Sequence, residues 1–293
     1  MNNFLRACFF LLSPLWIHAV DIAITIDDFP MSDGALYSAN DRTDAYIKTL
    51  SQHKCTAAFF CIGKKCTTPR QQRLLQKLDQ NGHFLCNHTM THLHLSELDL
   101  ATFRKEVEEL DSILSQYTHA KKWFRYPFLD YGNREKTGGS IPKMLNAHAL
   151  LQKLDHTEGY VTINTFDWHI DTRLAEAVLN GKKINLDTLR AFYLERIRSW
   201  CKYYIDFFSK KFGDTITHTL LLHANDLNAL FLGDIIAMIK KEGWNIVSPE
   251  KAFHNTSWRK EILKDPALII HLPPSLNCDE IDKQLLPLLS SEN

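Results

Sequence analysis

The chain has 293 residues, 45% of them hydrophobic, enough material for one large core and within the range that a single α/β barrel occupies. Lysine plus arginine equals aspartate plus glutamate at 34 each. That balance leaves no overall field to draw in nucleic acid or an anionic membrane, and it favours a neutral or locally recognised substrate.

In chain order, the first feature reads as an export signal. Arg6 and the amino group precede an apolar stretch over 7–17, and Ala19 offers a small residue for cleavage before Val20. The stretch is too short to span a bilayer comfortably, so no stable membrane insertion is expected after cleavage. Residues 1–19 are read as a signal peptide, with an exported location, periplasmic or secreted. Cys8 would leave with it. Cys55, Cys61, Cys66, Cys86, Cys201 and Cys278 remain, an even number that permits disulfides without giving their pairing. Cys61 and Cys66 are near enough in sequence to close a small loop, whereas Cys86 reads better as a small buried hydrophobe. No paired C-x-x-C motif points to a zinc–thiolate site.

Beyond Val20, short apolar runs alternate with amphipathic stretches. Strands are predicted over 22–26, 57–62, 83–87, 123–126, 160–164, 217–222 and 245–247. Helical spacing of apolar residues predicts helices over 39–53, 69–80, 96–117, 141–154, 186–212 and 229–242. Gly82, Gly213 and Gly243 punctuate the pattern at strand starts and helix ends. Regular alternation of strand and helix argues for a parallel sheet or barrel. No internal repeat, low-complexity tract or Pro-rich linker divides the chain.

The residues that carry chemistry fall at or just after predicted strands, where an α/β barrel gathers its active site. Asp27-Asp28-Phe29-Pro30 closes the first strand. Adjacent carboxylates on extended backbone point in opposite directions, so one can bind a metal while the other serves another purpose. His88 and His92 stand at i and i+4 and can meet one ion if the backbone there turns helically. Two imidazoles and one carboxylate leave coordination positions open for water and substrate, as a catalytic rather than a structural site requires. Arg125-Tyr126-Pro127, Asp167-Trp168 and Leu220-Leu221-Leu222-His223 follow in order. This ordered set of five motifs, over residues 21–249, resembles the polysaccharide deacetylases of carbohydrate esterase family 4.

The resemblance implies an α/β fold, a distorted (β/α) barrel with about seven parallel strands, forming a single catalytic domain over 20–254. Residues 255–293, with Pro273-Pro274 and no clear periodicity, are read as a surface wrap or partly disordered extension. By the same resemblance, Asp28, His88 and His92 would ligate a divalent transition metal, zinc first among several that suit this donor set. Asp27 would be the base that takes the water proton, and His223 the general acid. Arg125 would contact Asp27 and be paired in turn with Asp167. The backbone N–H of Phe128 would meet the oxyanion, and Trp168 would wall the site beside His223.

The chain also departs from the family pattern. Phe29 stands where Gly is usual, and Leu129, not Gly, follows Phe128. These changes leave the titrating groups intact and alter the expected shape of the sugar groove. Two segments, 129–140 and 171–183, are read as loops bordering the substrate; His94, His169, Asp171 and Asp226 lie near motifs without an assigned role.

The function these features imply is metal-dependent removal of N- or O-linked acetyl groups from a glycan, the acetylated glycan being the expected partner and nucleic acid not. Three alternatives use the same residues. One is hydrolysis of a small-molecule non-peptide amide on the same barrel. Another is a catalytically inactive glycan-binding domain, against which the intact Asp27 and His223 count. The last is a non-haem iron oxygenase with a two-His, one-carboxylate triad, against which the alternating β/α pattern counts.

Overall fold

Strands buried on both faces need apolar side chains in both directions, and the runs after Val20 supply them. In the computed structural model, which describes residues 20–213, 216–254, 258–259 and 277–290, these runs form β1 (Asp21–Phe29), β2 (Ala57–Cys61), β3 (Phe84–Asn87), β4 (Ala120–Phe124), β6 (Ile163–Asn164), β7 (His218–His223) and β8 (Asn245–Val247). A further two-residue strand, β5 (Thr157–Glu158), lies outside the apolar pattern. The sheet order is β5-β4-β3-β2-β1-β7-β6, and every paired neighbour is parallel. The eighth strand, β8, pairs with the first residues of β1, and β2 takes over from Ile24 onward.

The sheet is curled, as chain length requires. Its two edge strands, β5 and β6, are separated by only residues 159–162. Five Cα steps span at most roughly 18 Å, so the two edges must come round toward each other. Gly159 sits in that crossing, where a Cβ would lie 2.4 Å from the Phe60 ring. Only glycine lets the backbone pass so close. The result is the distorted β/α barrel with about seven strands that the motifs imply.

Alternation along the strands divides the core in two. Ile22, Ile24 and Ile26 of β1, Phe59 of β2 and Leu220 and Leu222 of β7 face outward under the helices. Ala23, Ala58, Phe60, Cys86, Tyr160 and Phe253 fill the interior. Thr25 and Asp27 continue the interior face of β1 upward, which places the first catalytic candidate above this apolar floor.

The surrounding helices are α1 (Ala39–Gln52), α2 (Pro69–Gln80), α3 (Leu100–Leu114), α4 (Ile141–Lys153), α5 (Asp167–Leu179), α6 (Leu186–Phe212), α7 (Asp226–Lys241) and α8 (Pro249–His254). Two corrections concern them. The stretch 171–183, expected as a loop, lies largely within α5, whose Ile170, Leu174 and Ala177 are buried at i, i+4 and i+7. No capping side chain announces this helix, because its N-cap is Phe166 in a left-handed conformation. The helix expected over 96–117 begins only at Leu100, after the Asp99 cap and a tight 3-10 turn over Leu95–Glu97.

The expected signal peptide, 1–19, lies outside the described residues, as do residues 260–276. Of the C-terminal extension, Cys278–Ser290 forms a further helix, α9. Its Ile281, Leu285 and Leu289 are buried against α5 and α6, and Asp282 ties it to His169 and Arg173 of α5. The six described cysteines are free thiols, and Cys86 is fully buried in the interior as expected of a small hydrophobe. No helix among the described residues is long and apolar enough to cross a membrane.

Candidate metal-dependent active site

Asp27 is the register partner of His223 on the neighbouring strand β7, so the two side chains emerge side by side at the strand ends. Asp28 does not simply point the other way, as strict alternation predicts. Its φ is +67°, and the β1–β2 register shifts between Ile26 and Phe29. The bulge turns the second carboxylate back, so that Asp28 Oδ1 lies 3.5 Å from His88 Nε2 while Asp27 Oδ2 lies 3.8 Å from the same atom. Both carboxylates therefore serve one site.

The His88–His92 segment is likewise not helical. It is a loop with left-handed Thr89 and His92, at φ of +64° and +60°. Side chains hold it. Thr89 Oγ1 accepts from the His92 N–H at 3.0 Å, and Asn87 Oδ1 accepts from the Thr89 N–H at 2.9 Å. Buried Glu106 on α3 takes both the N–H and the hydroxyl of Thr91 at 2.7 Å each. Six of the eight non-glycine residues with left-handed φ among those described, Asp28, Thr89, His92, Phe128, Leu129 and Phe166, belong to this neighbourhood. Each costs on the order of 1 kcal/mol, so the strain is concentrated where function is expected to need it.

Asp28, His88 and His92 offer ligand atoms that all lie within 4.8 Å of one another. The donor chemistry fits a cation. His88 Nδ1 lies 2.8 Å from the Arg125 carbonyl, which can only accept, so this nitrogen carries the proton and Nε2 presents a lone pair. That lone pair faces Asp28 Oδ1, a buried acceptor without a hydrogen bond, and His92 Nε2 lies 3.2 Å from the same oxygen. Acceptors facing one another at such distances are stable around a shared positive charge. Burial pushes the His92 pKa down, toward the neutral form that ligates.

Arg125 fixes Asp27. The guanidinium is buried, and its Nη1 donates to Asp27 Oδ1 at 2.8 Å and to Thr25 Oγ1 at 3.0 Å. Nε and Nη2 donate to the carbonyls of Gly159 and Tyr160 in the strand crossing, and the group lies 4.2 Å over the Phe60 ring. With Oδ1 so occupied, Oδ2 of Asp27 is the oxygen turned toward the ligand group.

The expected Arg125–Asp167 pair is not formed. Asp167, wholly buried at the start of α5, instead accepts from the backbone N–H of His223 at 2.8 Å and lies 2.8 Å from its Nδ1. Asn225, Asn228 and Thr165 also donate to it. The two carboxylates thus have separate partners, because β1 aims Asp27 at β4 whereas α5 aims Asp167 at β7. Burial would lower the His223 pKa, but the adjacent Asp167 raises it from the ordinary 6.5 to about 9. With Nδ1 engaged, Nε2 carries the transferable proton at neutral pH. A raised histidine stabilises the fold fully below its ordinary value, and that contribution is lost as pH rises through about 9. NMR titration of the His223 ring should therefore give a midpoint far above 6.5 that falls in Asp167→Asn; a midpoint unmoved by the substitution would remove Asp167 as the cause.

Phe128 and Trp168 stand at the rim, 49% and 44% exposed. The Phe128 ring packs on His92 and His94, and Trp168 packs on Phe166 and His169. Of the unassigned polar residues, Asp226 pairs with Arg42 deep under the loop after β1, and Asp171 accepts from the Leu227 N–H; both have structural partners. Sequence reasoning missed Glu106, Thr25, Asn225 and Asn228. Glu106 carries no local signal, standing on α3 beside Glu108 and Glu109.

A family model for polysaccharide deacetylase matches residues 18–138, which include Asp27, Asp28, His88, His92 and Arg125. A peptidoglycan-N-acetylglucosamine deacetylase of Bacillus cereus is 31% identical over 153 residues, 52% of this chain and 59% of that protein. Among solved structures, the chitin deacetylase of the fungal pathogen Colletotrichum lindemuthianum superposes with a TM-score of 0.56 at 16% identity, over 82% of this chain and 90% of that one. A carbohydrate esterase family 4 pseudoenzyme from Bacillus anthracis superposes with a TM-score of 0.55 at 15% identity, over 80% of this chain and 66% of that one. Residues 18–138 thus match the polysaccharide deacetylase family, and the fold of the chain is similar to that of carbohydrate esterase family 4 structures. The chain spans less than two thirds of the length of the curated relatives it matches, 59% of the one from B. cereus just described.

Proposed function

We propose that this protein is a metal-dependent hydrolase that removes acetyl groups from a glycan. The observation that carries the proposal is the pairing of Asp27 and His223 as cross-strand neighbours above one three-ligand group, each pinned by its own buried partner. Asp28, His88 and His92 would hold the metal, zinc being the candidate favoured for two imidazoles and a carboxylate. Once bound, such an ion acts as a Lewis acid toward the acyl oxygen and brings the pKa of water toward neutrality.

The chain's own groups do the rest. Asp27 Oδ2 takes the proton of the attacking water as the new C–O bond forms. Arg125 keeps that carboxylate aimed through its hydrogen bond to Oδ1. The Phe128 N–H receives the developing negative charge on the acyl oxygen, and Trp168 borders the sugar. His223 Nε2 gives its proton to the departing nitrogen or oxygen as the acyl bond breaks, releasing acetate and the free amine or hydroxyl. His223, its pKa raised by Asp167 to about 9, starts protonated, as the acid of such a pair must.

The names of the relatives, which concern peptidoglycan and chitin, support an acetylated polysaccharide as the substrate class. A substrate of that kind lies outside the cytoplasm, in keeping with an exported enzyme that loses residues 1–19. Intact Asp27 and His223 weigh against an inactive glycan-binding role. The test is acetate release across a panel of N- and O-acetylated glycans beside small acetamides. Release from oligosaccharides with negligible turnover of the small amides supports the proposal; the reverse pattern would replace it with the small-molecule reading.

A further inference from the structure

We infer that His94, working with Asp130, is a positioning residue that clamps Phe128 in the conformation the reaction needs. The inference rests on the deacetylase reading only in its use of the Phe128 N–H. Phe128 and Leu129 are consecutive residues in the left-handed region, at φ of +57° and +50°, and neither is glycine. Glycine enters that region freely, whereas a Leu or Phe resists it because of its Cβ. Something outside the turn has to hold it. The Leu129 and Asp130 N–H groups close it locally onto the Tyr126 and Pro127 carbonyls, leaving the Phe128 N–H without an acceptor inside the turn.

Two groups supply the hold, and both lead to one carboxylate. The His94 ring stacks on the Phe128 ring at 3.9 Å and 18°. Arg134 Nη2 donates to the Phe128 carbonyl at 2.8 Å. Asp130, fully buried, lies 3.3 Å from His94 Nδ1 and 3.9 Å from Arg134 Nε. It is itself locked by the N–H and hydroxyl of Ser96 and the N–H of Gly132. The Phe128 ring also packs on His92, at 4.5 Å, so the clamp registers the turn against a proposed metal ligand. His94 is not a further ligand, since the converging group comprises Asp28, His88 and His92 and its own Nδ1 is directed to Asp130.

The test uses His94→Ala, His94→Phe, Leu129→Gly and the double variant His94→Ala/Leu129→Gly in the full-length protein, each checked for metal content. Deleting an oxyanion donor costs about 10²- to 10³-fold in kcat, so displacing one should cost roughly ten- to a hundredfold. His94→Ala should show that loss in kcat with KM nearly unchanged. His94→Phe keeps the stacked ring and should retain most of the rate. In the double variant glycine enters the turn unaided, so most of the lost kcat should return. Thermal denaturation without substrate reads the clamp separately: His94→Ala should lower Tm more in the wild-type background than in the Leu129→Gly background. Equal Tm losses in both backgrounds would overturn the clamp. Unequal losses with kcat unchanged in His94→Ala would uphold the clamp and overturn the use of the Phe128 N–H in catalysis.

Discussion

Asp27→Asn should keep the fold and the metal and lose roughly 10² to 10⁴ in turnover, the usual worth of general-base assistance. An amide is nearly isosteric with the carboxylate, and its oxygen still accepts the Arg125 Nη1 hydrogen bond seen at 2.8 Å. What it loses is the ability of the free oxygen to take a proton. The contrast with Arg125→Ala is informative. Removing the guanidinium leaves Asp27 as a buried, uncompensated charge and opens a space over Phe60, so that variant should lose on the order of 3–5 kcal/mol of stability as well as activity. Steady-state kinetics beside thermal melts separates the two. Near-wild-type turnover by metal-loaded Asp27→Asn would mean that another group accepts the proton.

Replacing Asp28, His88 or His92 by alanine should abolish stoichiometric metal binding. Each supplies one of three convergent ligand atoms, and the remaining two make an inadequate site. The loss of affinity should exceed the roughly 10- to 100-fold that removing an outer partner costs, which is the expectation for Glu106→Ala through the Thr91 loop. Metal analysis of the purified variants decides the matter. Tight one-to-one metal in all three single-ligand variants would place the ion elsewhere.

Much of this arrangement is legible in the sequence. Strands buried on both faces read as continuous apolar runs, which is why β1, β2, β3 and β7 stand out, and the order of the five motifs carries the fold with them. The partners of the catalytic carboxylates are not legible. Whether Asp167 meets Arg125 or His223 depends on the aim of α5, which no neighbouring residue encodes; Phe166 gives that helix no capping signal. The convergence of Asp27 and Asp28 depends on a bulge and a left-handed φ, local departures that the period-2 rule cannot foresee. The body of α5 does have a signal, since Ile170, Leu174 and Ala177 followed by Gly181 carry helical spacing and an end mark. Leu129 is instructive in another way. It is one of two residues that depart from the family pattern, and it is found in the left-handed region, next to the Asp130 that meets His94.

The central claim is that one ion, held by Asp28, His88 and His92, makes this chain a glycan deacetylase. It is tested most directly by measuring acetate released from an acetylated oligosaccharide by a single preparation before chelation, after complete metal removal, and after restoring one equivalent of zinc. Release that disappears on stripping and returns with one equivalent, and does not return in His88→Ala, is the predicted result. Release that persists in the fully stripped protein at the original rate would contradict it.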